Sequence, residues 1–243
     1  MPNKFNILTP VFNCQDDILN TVFSLVGQTN KNWHWTVCDD LSTDKSIDII
    51  QDIMEKNGLL HKLTIRTRDQ KYGETRNTLE EVEQFENNSV VVRLDAGDWL
   101  TDLGCLDILD SIYDNHNPAV LWTAHRWSFT DYNISGPIDP NTSVYDQPWK
   151  SSHLKTFRCS ELKGINHLNF LDNNSDYIMI GCDQAIFLPM MERARLKNKP
   201  LIFLPRVMYH YNIDLNDPEL FTKPRSLNQK ASAENIRDRG FIE

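Results

Sequence analysis

The chain has 243 residues, of which 40% are hydrophobic and 24% are charged, proportions that are ordinary for a soluble globular protein. Its formal net charge of −9 argues against a non-specific nucleic-acid binder, although a local basic groove is compatible with that total. No run approaches the roughly 20 apolar residues that a membrane-spanning helix needs, so we expect no transmembrane segment.

Cysteine usage indicates the compartment. The five cysteines are scattered along the chain, and none forms a Cys-x-x-Cys pair. This pattern fits reduced thiols better than a disulfide framework or a structural zinc site. The amino-terminal residues lead directly into a predicted strand and lack the apolar core of a signal peptide. These features predict a cytoplasmic protein.

Apolar runs and helical periodicities alternate through the first half of the chain. The predicted strands are Phe5 to Val11, Trp33 to Cys38, Leu63 to Thr67, Ser89 to Leu94 and Val120 to Ala124. The predicted helices are one that begins after Asp16 or Asp17, Ser46 to Met54, Glu74 to Phe85, and one through Leu103 and Ile112. This order predicts an α/β fold with a mostly parallel, doubly wound sheet and helices on both of its faces.

The alternation stops after about Trp127. A polar loop is predicted from Phe129 to Pro148, and a helix from about Gln184 to Leu196. Two strands near residues 201–204 and 207–211 precede a polar tail with a helix from Ser226 to Arg239. Because no linker separates the halves, we predict one domain over residues 1–243 with an elaborated carboxyl-terminal half.

Two adjacent carboxylates, Asp39 and Asp40, follow the second predicted strand. Ligands of open α/β sheets bind at this end of the strands. A pair of like charges is costly there unless a cation or the donors of a ligand offset it. A cap formed by Ser42, Thr43 or Asp44 explains the rest of the turn but not the pair, so we expect Asp39 and Asp40 to bind a ligand.

Three further polar segments follow other strands. They contain Pro10, Phe12 and Asn13 after the first strand, Gly73 and Arg76 after the third, and Asp95 and Asp98 after the fourth. Arg76 suits a phosphate or a base carbonyl, although a solvent-facing arginine is an equal alternative. Asp95 and Asp98 can meet one Mg²⁺ or Mn²⁺ ion, which prefers oxygen ligands and is completed by substrate phosphates. An ordinary Asp/Gly turn is the simpler alternative.

Together these segments resemble the family 2 glycosyltransferases, which have the GT-A (nucleotide-diphospho-sugar transferase) fold. The motifs that match closely are Pro10-Val11-Phe12-Asn13, Asp39-Asp40-Leu41-Ser42-Thr43-Asp44, Gly73 with Arg76-Asn77, and Leu94-Asp95-Ala96-Gly97-Asp98-Trp99-Leu100. Looser matches are Ser152 to Arg158, Gly181-Cys182-Asp183-Gln184 and Tyr209-His210-Tyr211-Asn212. The resemblance implies a nucleotide-sugar-binding half over about residues 1–100, an acceptor and catalytic half over about 101–212, and a tail from about 213.

The resemblance also implies roles for single residues. Asp39 would accept a hydrogen bond from the donor's base, and Asp40 and Arg76 would help to hold the nucleoside. Asp183 would be the catalytic base that takes the proton of the acceptor hydroxyl in a single displacement with inversion. Asp183 could also be the N-cap of the predicted helix from about Gln184 to Leu196, and the two roles are compatible, because a helix amino terminus tolerates a carboxylate.

Asp95 and Asp98 would form the metal–diphosphate site with Mn²⁺ or Mg²⁺. The family motif is usually Asp-x-Asp, whereas Gly97 here gives Asp-x-x-Asp, which leaves open which carboxylate touches the metal. His210 is a further candidate metal ligand, although a lone histidine on a late strand is more often structural.

Signals for the acceptor are weaker. Trp149 flanks the long loop, and an aromatic face of this kind stacks on sugars or bases as well as filling cores. Lys150, His153, Lys155 and Arg158 form a basic segment that could hold the diphosphate or an anionic acceptor. A solvated surface is the default for such a segment.

The leading hypothesis is a metal-dependent, inverting glycosyltransferase that moves a sugar from a UDP-sugar to a hydroxyl of a glycan or another acceptor. One alternative keeps the donor and makes the acceptor a hydroxylated base in DNA. The basic segment from Lys150 to Arg158 favours this alternative, and the net charge of −9 argues against it. Another is a nucleotide-sugar-binding protein without transferase activity. A nucleotidyltransferase lacks support, because no glycine-rich phosphate loop follows the first strand.

Overall fold

The computed structural model describes residues 2–213 and 224–243, and in this part of the chain eight strands form one sheet. The strands are β1 Phe5–Val11, β2 Trp33–Asp39, β3 Leu63–Thr67, β4 Val90–Arg93, β5 Trp99–Leu100, β6 Val120–Trp127, β7 Lys155–Arg158 and β8 Leu201–Tyr211. The helices are α1 Ile18–Val26, α2 Ser46–Lys56, α3 Gly73–Gln84, α4 Cys105–His116, α5 Cys159–Leu162, α6 Cys182–Leu196 and α7 Pro224–Arg239. Short 3₁₀ turns lie at Leu60–Lys62 and His167–Phe170.

The strand order across the sheet is β3-β2-β1-β4-β7-β6-β8-β5. Strands β1 to β4 pair in parallel, and β7 is antiparallel to both β4 and β6. Strand β8 is parallel to β6. Since two antiparallel steps restore the direction, β6 and β8 run the same way as β4. The carboxyl ends of β1, β2, β3, β4, β6 and β8 therefore meet at one edge of the sheet.

The central strands are buried on both faces, which explains why their sequences are nearly continuous apolar runs. Alternate residues contribute to two separate apolar clusters: Ile7 and Val92 belong to one, and Leu8 and Val91 to the other. Successive side chains of a strand point to opposite faces, so the two clusters lie on opposite faces of the sheet. Helices α1, α2 and α4 contribute to the first cluster and α6 to the second. The predicted mostly parallel sheet with helices on both faces is confirmed.

Several predicted elements need correction. Strands β5 and β7 were not predicted, because β5 has two residues and β7 is a short segment with Lys155 and Arg158 at its ends. The two strands predicted at 201–204 and 207–211 are one strand, β8. The register of β8 against β6 shifts near Ala124, where Pro205 interrupts the run, since proline cannot donate to a ladder. No helix in the described ranges is long and apolar enough to cross a bilayer.

Candidate active site

The two adjacent aspartates at the end of β2 have different surroundings. Asp39 is buried, and its Oδ1 accepts the backbone N–H of Ser42 at 2.9 Å. Asp40 accepts the N–H of Tyr72 at 2.8 Å and that of Gly73 at 2.9 Å. Asp40 therefore caps the start of α3, where a carboxylate is favourable. The chain's own amides therefore offset part of the cost of placing two like charges side by side. The sequence argument, which required a ligand for both Asp39 and Asp40, left out this contribution.

Asn13 and Phe12 lie beside Asp39. The Asn13 Oδ1 accepts the N–H of Thr43 at 2.8 Å and so fastens the end of β1 to the loop after β2. The Phe12 side chain is exposed, and the Lys71 ammonium lies 3.5 Å from the centre of its ring. Pro10 lies in β1 opposite Cys38 of β2. The predicted residues of the first segment are thus at the carboxyl edge, next to Asp39.

Arg76 lies one turn into α3. Its Nε donates to Glu80 Oε1 at 2.8 Å, and its guanidinium lies 3.6 Å from the ring centre of Tyr72. It lines a cleft of about 590 Å³ together with Tyr177 and Ser232. Arg76 thus lines a cleft next to Tyr72, whose backbone N–H donates to Asp40.

The loop after β4 holds Asp95 and Asp98 in different states. Asp98 is buried; its Oδ2 accepts the Tyr209 hydroxyl at 2.6 Å, and its Oδ1 accepts the Asn212 N–H at 2.9 Å. Asp95 is 35% exposed, and its Oδ1 accepts from Arg93 Nη2 at 3.3 Å. Burial, and secondly the charge of Asp95, raise the pKa of Asp98 well above its ordinary value. Asp98 therefore fastens the loop to β8, while Asp95 remains accessible.

A buried arginine lies at the end of β4 beside these carboxylates. The Arg93 side chain is 2% exposed; Nη2 donates to Glu74 Oε1 at 2.5 Å and Nη1 to Thr78 Oγ1 at 2.9 Å. Burial raises the pKa of Glu74 to about 7, against the lowering effect of Arg93, and the charge of Asp95 adds to the rise. A cation in this position neutralises part of the acidic edge. Arg93 was not predicted, although a charge at the end of a Val-Val-Val run was the signal for it.

Asp183 lies in the first turn of α6, and the N-cap of that helix is Gly181, so the predicted N-cap position of Asp183 is wrong by two residues. The buried Lys155 ammonium donates a hydrogen bond to the Asp183 carboxylate. Burial alone would raise the pKa of Asp183, but Lys155 and His153 outweigh it and lower that pKa to about 2. Lys155 lies opposite Arg93 in the register of β7 and β4, so Asp183 reaches the same edge as Asp95. The pairing of Lys155 with Asp183 was not predicted.

The predicted basic segment does not form one cluster. Arg158 lies opposite Val90, at the amino end of β4, whereas Lys155 lies opposite Arg93 at the carboxyl end. Three strand residues at about 3.3 Å each separate them by roughly 10 Å along the strand. The Arg158 Nε donates to Asn117 Oδ1 at 2.9 Å. Arg158 therefore lies at the far end of the sheet, away from the candidate site.

His153 carries no charge at neutral pH, and it acts on the pKa of Asp183 only at low pH, where its ring is protonated. It is buried, and its ring stacks on that of Tyr209 with centroids 4.7 Å apart. Burial, and secondly Lys155, lower the pKa of His153 to about 3, so the ring is neutral at pH 7. Trp149 stays at the site, with the Lys155 ammonium 5.8 Å from its ring centre.

His210 does not join Asp95 and Asp98. The preceding residue, Tyr209, points to Asp98, and the next residue of a strand points to the opposite face. In the described part of the chain no three His, Cys, Asp or Glu side chains are grouped as a metal site. The donors that fit a divalent ion are one accessible carboxylate, Asp95, supported by Asp98. Such a set suits Mg²⁺ or Mn²⁺ when substrate phosphates supply further oxygens.

The open α/β sheet with acidic loops at its carboxyl edge is that of the GT-A glycosyltransferases. The family model of Glycosyl transferase family 2 matches residues 6–171, more than half of the chain. The chain therefore belongs to glycosyltransferase family 2, which confirms the family that its motifs resemble.

Solved structures agree on the fold. A structure of S. aureus TarS residues 1–349 in complex with UDP-GlcNAc has a TM-score of 0.63 and 18% identity, over 90% of this chain and 61% of that one. The mannosyltransferase PcManGT from Pyrobaculum calidifontis, in complex with GDP-Man and Mn²⁺, has a TM-score of 0.61 and 13% identity, over 89% and 60%. At these identities the likeness shows the fold alone.

Two curated proteins match over short stretches. The Escherichia coli UDP-Glc:alpha-D-GlcNAc-diphosphoundecaprenol beta-1,3-glucosyltransferase WfaP is 44% identical over 50 residues, which are 21% of this chain and 20% of that protein. The putative teichuronic acid biosynthesis glycosyltransferase TuaG of Bacillus subtilis is 34% identical over 56 residues, 23% of this chain and 22% of that protein. The matched segments thus span about a fifth of these relatives.

Proposed function

We propose that the protein transfers a sugar from a UDP-sugar to an acceptor hydroxyl, with inversion and with Mn²⁺ or Mg²⁺. One observation carries this proposal: the accessible carboxylate Asp95 and the ion-paired carboxylate Asp183 lie at one edge of the sheet. Burial raises the pKa of Asp95 against the lowering effect of Arg93, and the two carboxylates are near enough that the charge of Asp183 adds to the rise. Glycosyl transfer needs one acidic position for the metal and diphosphate and another for the acceptor proton.

The donor's nucleoside would lie over the ends of β1 and β2. Asp39 has a carboxylate oxygen beyond the one that accepts from Ser42, and that oxygen can accept an N–H of uracil. Phe12 offers an exposed ring for stacking. Arg76 lies beside this region and supplies positive charge for the donor. The neighbouring structures contain UDP-GlcNAc and GDP-Man, so uracil rather than guanine is a proposal.

The metal would be held by Asp95, with Asp98 as a positioning residue. Both oxygens of Asp98 already accept hydrogen bonds from β8 and from Asn212. Substitution of Gly97 for the usual aspartate leaves Asp95 as the accessible ligand of the loop. A bound divalent ion stabilises negative charge on the leaving diphosphate. Arg93 and Lys155 offset part of the negative charge around it.

The base would be Asp183. Lys155 keeps its carboxylate ionised, and the 28% exposure of the Asp183 side chain leaves room for an acceptor hydroxyl to approach. The hydroxyl oxygen attacks the anomeric carbon as the bond to the diphosphate breaks, and its proton passes to Asp183. The argument for a DNA acceptor is weakened, because the basic segment that suggested it does not form one cluster: Lys155 and Arg158 lie at opposite ends of β7.

Thermal shift with UDP, GDP, Mn²⁺ and EDTA tests the donor site. We expect UDP with Mn²⁺ to raise the melting temperature, since a ligand at 100 times its Kd stabilises by about 2.7 kcal/mol. Asp95→Asn should lose the metal-dependent part of the rise in melting temperature, and Asp98→Asn should unfold at a lower temperature than the unmodified protein. Equal stabilisation with and without metal would remove the metal from the proposal, and a larger shift with GDP would remove uracil.

The base is tested by Asp183→Asn, which keeps the size of the side chain but cannot take a proton at neutral pH. We expect UDP and Mn²⁺ to stabilise it as they do the unmodified protein, while UDP release in the presence of glycan acceptors falls about 10²–10⁴-fold. Transfer at the unmodified rate would exclude Asp183 as the base.

A further inference from the structure

A second set of polar side chains lies at the carboxyl edge, on the sheet face opposite Tyr209. Arg126 of β6 lies opposite His210 of β8, which in turn lies opposite Trp99 of β5. The three side chains therefore form a row across neighbouring strands, because residues in register point to the same face. Since Trp99 directly follows Asp98, the row adjoins the loop of the proposed metal site.

Arg126 has no partner among the residues that the structure describes. Of the arginine side chains that the structure describes, it alone makes no hydrogen bond or ion pair to a described residue, and its Nε is buried without a partner. The chain has 34 acidic and 25 basic residues, so acidic partners are abundant. An arginine without one at a ligand edge indicates an anion that is bound there.

His210 gives a second, independent indication. Its side chain is fully buried, and neither ring nitrogen has a hydrogen-bond partner within residues 2–213 and 224–243. Buried polar atoms in proteins are rarely left unpaired, and exceptions call for a missing partner. The Trp99 ring stacks on it with centroids 3.8 Å apart. A packing role alone would be filled as well by phenylalanine, without the unpaired nitrogens.

The turn after β6 adds a third feature. Ser128 and Phe129 have φ of 38° and 61°, and Thr130 donates its N–H to the carbonyl of Trp127 at 2.8 Å. Two left-handed residues in a row favour Asn-Gly, so a phenylalanine here is strained. Phe129 is 76% exposed, yet the centre of its ring lies 4.4 Å from that of His210. Movement of this exposed ring would open the way to His210.

We propose that Arg126 and His210 bind an anionic group of the acceptor, a phosphate, with Phe129 and Trp99 packing against the sugar attached to it. The site itself follows from the unpaired groups; its assignment to the acceptor rests on the proposed function. The donor's diphosphate is a poorer fit, because the Asp95 loop contacts Tyr209 on the other face of β8. Arg126 supplies the charge, and the neutral imidazole of His210 supplies one N–H donor.

The experiment measures inorganic phosphate binding by calorimetry to the full chain saturated with UDP and Mn²⁺. The variants are Arg126→Gln, His210→Phe and, as a control, Arg206→Gln. The control removes the same charge from an arginine of β8 that is 54% exposed and paired with Asp102. We expect Arg126→Gln and His210→Phe each to weaken phosphate binding by about tenfold or more and the control to change it less than twofold. His210→Phe should melt no lower than the unmodified protein, since it removes only unpaired nitrogens.

Unchanged phosphate affinity in folded Arg126→Gln or His210→Phe would overturn the site. An equal loss in the control would show non-specific electrostatic attraction, and it also overturns the site. A tenfold loss of UDP affinity in Arg126→Gln would assign the anion to the donor and overturn the acceptor role. Failure of the proposed function has a different signature: UDP with Mn²⁺ would not stabilise the unmodified protein, while phosphate binding would still depend on Arg126.

Discussion

Replacing Lys155 with methionine tests how the candidate base is kept ionised. The Lys155 side chain is 2% exposed, and its ammonium bonds the carboxylate of Asp183. Methionine keeps most of the length of the stem and removes the charge. Breaking a buried ion pair by removing one partner costs about 3–5 kcal/mol, and we expect the lower end because Asp183 is 28% exposed to water.

The effect on the pKa of Asp183 follows from the same contact. A depression of that pKa from 3.8 to about 2 corresponds to about 2.4 kcal/mol in favour of the ionised carboxylate. Because the pKa in the folded protein is lowered, this stabilisation is present above pH 3.8 and is lost as the pH falls through about 2. In Lys155→Met the effect of burial is no longer outweighed, so we expect the pKa of Asp183 to rise above its ordinary value.

The assay is a carbon-13 NMR titration of the side-chain carboxyl groups, with the Asp183 signal assigned from its absence in Asp183→Asn. Between pH 4 and pH 8 we expect no titration of Asp183 in the unmodified protein, and a midpoint inside that window in Lys155→Met. The near-ultraviolet circular dichroism of the variant at neutral pH controls for folding. A folded Lys155→Met protein whose Asp183 signal stays constant over this window would refute the reasoning, because Lys155 would then not determine the charge of Asp183.

Two further predictions concern the neighbouring loops. Asp40→Ala should lower the free energy of unfolding by about 0.5–2 kcal/mol, since it removes the cap of α3, whereas Asp39→Ala should mainly weaken UDP binding. Urea unfolding and calorimetry on both variants separate the effects. A larger loss of stability in Asp39→Ala, with a larger loss of UDP affinity in Asp40→Ala, would contradict these assignments. Tyr209→Phe should cost about 1.5–3 kcal/mol in urea unfolding and raise the pKa of Asp98 further, because the Tyr209 hydroxyl donates to that carboxylate and lowers its pKa. If the stability of Tyr209→Phe is unchanged, the loop is not fastened through Asp98.

The first four parallel strands could be predicted from the sequence, because each is a short apolar run followed by a helix and a polar turn. Strand β7 could not be predicted in this way. It is four residues long, Lys155–Arg158, and its two ends are charged. The lysine end is buried, and its ammonium pairs with Asp183, which is a contact between distant parts of the chain. The antiparallel position of β7 in turn determines the shared direction of β6 and β8.

The positions of the carboxylates at the candidate site could be predicted, but their hydrogen-bond partners and burial could not. Asp39 and Asp40 are adjacent in sequence, and the difference between them depends on the first amides of α3, 32 and 33 residues beyond Asp40. In the same way, the relation of Asp98 to β8 depends on the Tyr209 hydroxyl, 111 residues further on. Local sequence cannot distinguish a carboxylate that fastens a loop from one that is open to a ligand.

The pKa values at this edge move in opposite directions, and this divergence is the strongest physical argument for separate roles. Burial raises the pKa of Glu74 to about 7 and that of Asp98 well above its ordinary value, whereas the lysine on β7 lowers that of Asp183 to about 2. Environments that push neighbouring carboxyl groups apart in this way are how acid and base roles are divided in enzymes. Because the lysine is paired with Asp183 and not with Asp98, negative charge is retained at Asp183, beside the space an acceptor hydroxyl would enter. A metal ion bound at Asp95 would favour ionisation of that carboxylate as well, so metal binding and the charge of the site would be coupled.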